Sequence, residues 1–333
     1  MKQRTFYLDN LCGLMLLYMI FVIHIAGLKP SYNPDWISVT KAILSCFMSW
    51  FFFKAGMMHR LQSMHEIALK STKRLLVPYG IFLVIGFVLD VVRYNHDGID
   101  VTRPVFYKYE LHTFLTTSIS WSTGASWFLL SLFVARLVFN ALCPKVRPQT
   151  MTIVFAVLSV ALWWLEKQRL AQQPSVYIPF YIGAMCHGVA VYSLGYYIKD
   201  KQFSKLWVLL AIAVELFRFV IDSRIDFRTN DSGRDFFPLG IVYGMAGCIV
   251  FNNIFKRWLD RPIPLVTYIG RNSMVYYLMH YPILIMTISM FRDELSGIGS
   301  IHYLCIVSGV VVTGLILSDL LFRIKKLRFI VGG

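Results

Sequence analysis

Two histidines lie inside runs of apolar residues, His24 in LMLLYMIFVIHIAGL and His280 in SMVYYLMHYPILIM. A neutral imidazole can take a proton from a hydroxyl or itself carry an acyl group near neutral pH. Lipid makes ionisable side chains expensive, so such residues in membrane-length segments are functional suspects. Each histidine follows roughly sixteen residues of expected helix, counted from Tyr7-Leu8-Asp9-Asn10 or from Pro264. At 1.5 Å per residue both sit roughly 25 Å along their helices, where they can face one cavity. His280 also shares a stripe with Ser273 and Tyr277, at i, i+4 and i+7, a polar wall suited to orienting a substrate or steadying an oxyanion. The competing account of either residue is a hydrogen bond to a neighbouring helix, made for packing alone.

The elements that must position these residues follow from composition. With 57% hydrophobic and 15% charged residues and a mean hydropathy of +0.59, the 333-residue chain is too apolar for a soluble domain. Runs long enough to cross about 30 Å of hydrocarbon fall near 8–28, 37–58, 75–94, 126–142, 151–166, 177–198, 206–221, 238–255, 264–290 and 301–322. The expected fold is an all-α polytopic membrane bundle of about ten transmembrane helices, a single domain over 1–333 with both termini cytoplasmic. Charge supports that count: the termini and even-numbered loops hold eighteen lysines and arginines against Asp9, Glu66, Asp200 and Asp260 alone. The odd loops and adjoining helix ends hold eleven bases against twelve acids. By the positive-inside rule the basic side is cytoplasmic. The +15 net charge is therefore topology, and no nucleic-acid partner is expected.

Lys2 and Arg4 precede an apolar run as long as a full span, with no small-residue cleavage site after it, so no removable leader is expected. The six cysteines lie in spans or at the basic face without CxxC spacing, which points to neither disulfides nor a metal site. Two longer outer loops, 95–125 with His96, Tyr107, Tyr109, His112 and Trp121, and 222–237, mix charge with aromatics. That mixture suits a polar acceptor such as a sugar, and equally a solvated connector. Among other polar groups inside spans, Glu215 and Arg218 are three apart and can pair, as can Arg136 and Asp319, while His187 sits between Gly183 and Gly188.

Six segments together resemble the acyltransferase 3 family of integral-membrane acyltransferases. YLDNLCGLMLLYMIFVIH is similar to that family's first span, with an acid near its start and a late histidine. SWFFFKAGMMHR, KRLLVPY, SWFLLSLFVARL, PFYIGAMCHG and YIGRNSMVYYLMHYPI follow in the family's order. The resemblance implies transfer of an acyl group, acetyl above all, from cytosolic acyl-CoA to a glycan or lipid-linked acceptor in the cell envelope, by a multi-pass inner-membrane protein. It implies that His24 is the essential histidine. Acyl-CoA (acetyl-CoA) then serves as donor substrate, with no metal, and membrane lipids and the acceptor are the partners.

A CoA-type donor brings several phosphate charges, which Lys and Arg bind well. Lys54 near the inner end of the second span, Lys73 and Arg74 beside the third, and Arg271 at the start of the ninth are the candidates. Lys54 could instead snorkel to the headgroups, and the other three are also what topology alone would supply. The family places a base some eleven residues before the first-span histidine, whereas here that neighbourhood reads Cys12-Gly13. Eleven residues bring an α-helix back to the same face about 16 Å away. Gly13 is thus expected to leave an uncharged opening, so that another base serves or the acyl donor differs. Two rival readings stand beside the transferase. One is a transporter or flippase using the same polar cavity, against which no internal repeat is evident. The other is a catalytically lapsed family member.

Overall fold

Every described apolar run is helical, because backbone polar groups in such segments must find partners within the segment itself. The computed structural model describes residues 5–28, 44, 46–172, 180, 182–199, 201, 205–220 and 237–333. It contains no strands among them. In chain order the helices are α1 (Phe6–Tyr18), continued by a π-helical segment Met19–Ile25, α2 (Phe47–Met57), α3 (Met64–Ser71), a second π-helical segment Thr72–Leu76, and α4 (Val77–His96). Then come α5 (Pro104–Thr117), α6 (Trp127–Leu142), α7 (Pro148–Gln172), α8 (Ile182–Ile198), α9 (Lys205–Val220) and α10 (Phe237–Trp258). α11 (Pro264–Arg271), α12 (Ser273–Met290), α13 (Arg292–Ser296) and α14 (Ser300–Phe322) complete the chain.

Five described helical segments are long and apolar enough to cross a membrane: Phe6–Ile25, Met64–His96, Pro148–Leu165, Ser273–Met290 and Ser300–Phe322. Three details depart from the sequence reading. The run 264–290 is two helices parted at Asn272, whose ψ of 23° leaves the helical ladder. The third span begins earlier, since α3 runs through the π-segment into α4. The stretch 95–125, expected as a loop, is largely a helix, α5, opened by Pro104, whose fixed φ suits a first turn. It is closed by Ser118 in the left-handed region at φ 60°, where the Ser118 N–H caps the Phe114 carbonyl at 2.8 Å. The second expected loop, 222–237, lies almost wholly outside the described residues, as do the side chains of Glu215 and Arg218.

Packing groups the chain into two units, each assembled from three separate segments. One comprises Met1–Met15, Lys41–Ser71 and Ser131–Arg271; the other comprises Leu16–Thr40, Thr72–Leu130 and Asn272–Gly333. In the first, α8 packs against both α2 and α7. Its buried face is rich in small residues, Gly183, Ala184, Gly188, Ala190, Ser193 and Gly195. A Cβ on Gly195 would collide with the Phe53 carbonyl, and one on Gly56 with the Tyr192 carbonyl. The two backbones touch reciprocally, as small residues allow in apolar bundles where dispersion does the holding. In the second unit, α12 packs against α14, against α4 and against the π-segment that carries His24. Pro282 lies inside α12, and the N–H it lacks would have bonded the Leu278 carbonyl. The turn that carries His280 is therefore one where the ladder is interrupted.

Candidate active site

The second unit brings the two histidines together. His24 Nδ1 lies 2.8 Å from His280 Nε2, with the ring planes within 12° of parallel. His280 Nδ1 in turn lies 2.7 Å from the Tyr277 carbonyl oxygen and 3.1 Å from that of Tyr276. A carbonyl can only accept, so His280 carries its proton on Nδ1 and offers Nε2 as an acceptor. His24 must then donate from its own Nδ1, and neutral His24 holds its basic lone pair on Nε2. His280 is fully buried at 0% exposure, whereas His24 is half-buried. Tyr281 sets its ring edge against His24 at 5.2 Å between centroids. In this arrangement both nitrogens of His280 are engaged, one by His24 and the other by the Tyr276 and Tyr277 carbonyls.

His24 sits in the π-helical stretch Met19–Ile25, marked by the i→i+5 bond from the Ala26 N–H to the Phe21 carbonyl at 3.1 Å. Such wide turns occur often at functional sites. They also overturn the phase argument from the sequence, since the 3.6-residue period does not carry from Gly13 through to His24. Position 13 itself is not an opening. A Cβ there would run into the Val266 carbonyl oxygen of α11, and one on Gly270 into the Asp9 carbonyl. Glycine at 13 exists for backbone contact, and no larger side chain fits without moving a helix.

The four expected donor-binding cations are placed as follows. Lys54 is half-buried, with its Nζ 5.6 Å above the Trp50 ring centroid. Arg271 is paired through Nε with Asp9 Oδ2 at 3.2 Å and lies over Phe6, so its charge is largely matched locally. Both belong to the first unit. Lys73 and Arg74 are exposed on the π-segment between α3 and α4, in the second unit, where the Arg74 carbonyl abuts Gly332. No single unit gathers all four.

A family model described as an acyltransferase domain, acyltransferase 3, matches residues 6–323, nearly the whole chain. The chain belongs to the acyltransferase 3 family. Membership carries with it a membrane O-acyltransferase activity. Neither a curated protein nor a solved structure gives a match.

Three features of this acyltransferase lie outside the residues that its sequence singles out. The first is Asp90, fully buried in α4. It accepts from the Ser120 and Ser122 hydroxyls, from the Ser122 N–H at 3.2 Å and from Arg93 Nη2 at 3.2 Å. That network staples residues 120–122 to α4. The adjoining backbone then receives the histidine helix, with the Tyr277 hydroxyl donating to the Ala125 carbonyl and the Tyr281 ring closing over Gly124. An acid with an arginine three residues on, ahead of the hydroxyl-rich run SISWSTGAS, is the signal that could have found it.

The second is Asn10, also fully buried, whose amide donates to the Leu259 and Arg261 carbonyls at 2.8 and 2.7 Å. Its Oδ1 accepts from Thr267, locking the start of α1 to the turn before α11. The third is His59, 5% exposed, with Nδ1 2.6 Å from the Tyr192 hydroxyl and Nε2 3.3 Å from Asn140 Oδ1. Asn140 Oδ1 also accepts the Gln62 N–H at 3.2 Å. Desolvation, with Arg136 and Lys199 adding repulsion against the Asn140 bond, pushes His59 down to about 4, so it is neutral at physiological pH. Asp319, for its part, is bonded within its own helix to Arg323 Nη2 at 2.9 Å.

Proposed function

We propose that this acyltransferase moves an acyl group, acetyl in the simplest case, from cytosolic acyl-CoA to a hydroxyl of a glycan or lipid-linked acceptor. The observation that carries the reading is the ordered proton arrangement from the Tyr277 carbonyl through His280 to His24. It supports His24 as general base and His280 as a positioning residue that sets the tautomer, much as a buried carboxylate does in a catalytic triad.

The acceptor hydroxyl attacks the thioester carbonyl carbon while His24 Nε2 takes its proton. The new C–O bond forms, and the C–S bond breaks on collapse of the tetrahedral intermediate. The departing thiolate then recovers the proton from His24. During the step His24 is an imidazolium, and its Nδ1–H bond to neutral His280 strengthens because a charged donor makes the stronger bond. Lys54, Lys73, Arg74 and Arg271 are each candidates for a phosphate contact, with Arg271 discounted by its pairing to Asp9.

The test is transfer or hydrolysis of labelled acetyl-CoA by purified protein in lipid nanodiscs, with equilibrium CoA binding measured in parallel. Saturable CoA binding with turnover that falls at least about 100-fold in His24→Ala, at unchanged CoA affinity, is expected. No saturable binding of CoA at millimolar concentration would remove acyl-CoA as donor and bring the transporter reading forward.

A further inference from the structure

α5 is not among the helices long enough to span, yet it presents Val105 at 73% and Leu111 at 57% exposure. It meets α4 through rings, Phe87 to Phe106 at 6.0 Å and Tyr94 to Phe106 at 5.4 Å between centroids. These aromatics hold the two helices apart over a groove of about 350 Å³, at the small end of the range for ligand pockets. Its lining is hydrocarbon apart from Glu110, Ser120 and the Tyr107 hydroxyl. Val84, at 65% exposure, and Leu111 form its open rim.

Glu110 is the anomaly. It is 7% exposed, and its Oε1 is shut off from solvent with no hydrogen-bond partner among the described residues. Leaving such an atom unmet costs about 1–3 kcal/mol. Arg93 bonds Asp90 through Nη2, Ser120 is likewise bonded to Asp90, and neither makes a hydrogen bond to Glu110 Oε1. Burial, and then the Asp90 charge, push the Glu110 carboxyl up to about 7 against the pull of the Arg93 charge. Near neutral pH the site therefore alternates between carboxyl and carboxylate. A phosphate partner suits only the first form and an ammonium only the second, whereas a hydroxyl accepts from the carboxyl and donates to the carboxylate.

We propose that the groove between α4 and α5 binds a single-chain amphiphile, its hydrocarbon among Leu83, Phe87, Leu111 and Phe114 and a hydroxyl of its head on Glu110. The site stands on its own geometry and not on the transferase reading, and binding is read without turnover. The probe is a radiolabelled alkyl glucoside with a diazirine in the chain, photo-crosslinked to the full chain in nanodiscs free of glycoside detergent.

Saturable labelling is expected on peptides spanning 83–87 and 111–114, competed by unlabelled alkyl glucoside and at least about ten-fold less by the matching alkyl phosphate. Glu110→Gln, whose amide both donates and accepts, is expected to keep the affinity within about two-fold. Glu110→Leu is expected to weaken it about ten-fold or more, or 1.4 kcal/mol. Val84→Trp fills the groove from its exposed rim, where folding is little affected, and is expected to abolish labelling at 83–87. Labelling spread over all apolar helices and not competed, or unchanged in both Glu110→Leu and Val84→Trp, would overturn the site. Equal competition by the phosphate would overturn the assigned head group.

Discussion

His24 and His59 are both histidines in apolar surroundings, one in each unit, and their hydrogen bonds divide them. His59 has a hydroxyl on one nitrogen and an amide oxygen on the other, at 5% exposure. Its neutral ring joins Tyr192 of α8 to Asn140 of α6, and both of its nitrogens are taken. His24 is half-buried and donates from Nδ1 to a neighbour whose own proton is fixed by a backbone carbonyl. One site closes the imidazole into the packing. The other fixes which nitrogen carries the proton, in an imidazole that is half-buried. Burial alone therefore does not distinguish the two rings, whereas the partners of their nitrogens do.

The largest expected effect that would break this comparison is on His24. Turnover is expected to fall at least about 100-fold in His24→Ala, and an equally large loss in a folded His59→Ala protein would erase the distinction. A smaller step separates His280→Ala from His280→Gln. The alanine variant loses the acceptor for the His24 Nδ1–H, so kcat is expected to drop roughly 10-fold or more with little change in KM for the donor. Glutamine can return an oxygen acceptor and is expected to recover part of kcat. A rise in KM at unchanged kcat would mean instead that His280 binds substrate.

Gly13 belongs with His59 on the structural side. Gly13→Ala places a methyl against the Val266 carbonyl and is expected to destabilise by about 1–3 kcal/mol, measured by thermal unfolding in detergent, with donor affinity unchanged in the folded fraction. An arginine there is expected to lower the yield of folded protein and not to supply a donor-binding charge; tighter CoA binding by Gly13→Arg would contradict the closed position.

The smallest effect is a pH dependence. A histidine lowered from 6.5 to about 4 binds its proton less readily in the folded state than in the unfolded one. Its contribution to stability is complete above about 6.5 and is lost as pH falls toward 4. His59→Gln is expected to flatten the fall in melting temperature across that interval, and an unchanged slope would show that other groups govern it.

Helical class, the apolar runs and the family resemblance are all legible in the order of the residues. They depend on the composition of continuous segments, and period and hydropathy survive without knowledge of neighbours. For His24 and His280 the residue order indicates a shared cavity and no more. The tautomeric direction of the pair is absent from it, because that rests on a carbonyl at Tyr277 and a proline-interrupted turn. The π-helical turn at Met19–Ile25 leaves no mark in residue types, which is why the eleven-residue phase from Gly13 misleads. Asn10 and His59 are hidden in the sequence for a related reason, and Asp90 is only hinted at by Arg93 and the run after it: each draws partners from about thirty to more than two hundred and fifty residues away. A sequence states which side chains can donate or accept. Only the tertiary fold decides which of them meet, and in this chain it gives His24 a second histidine and His59 a hydroxyl and an amide oxygen.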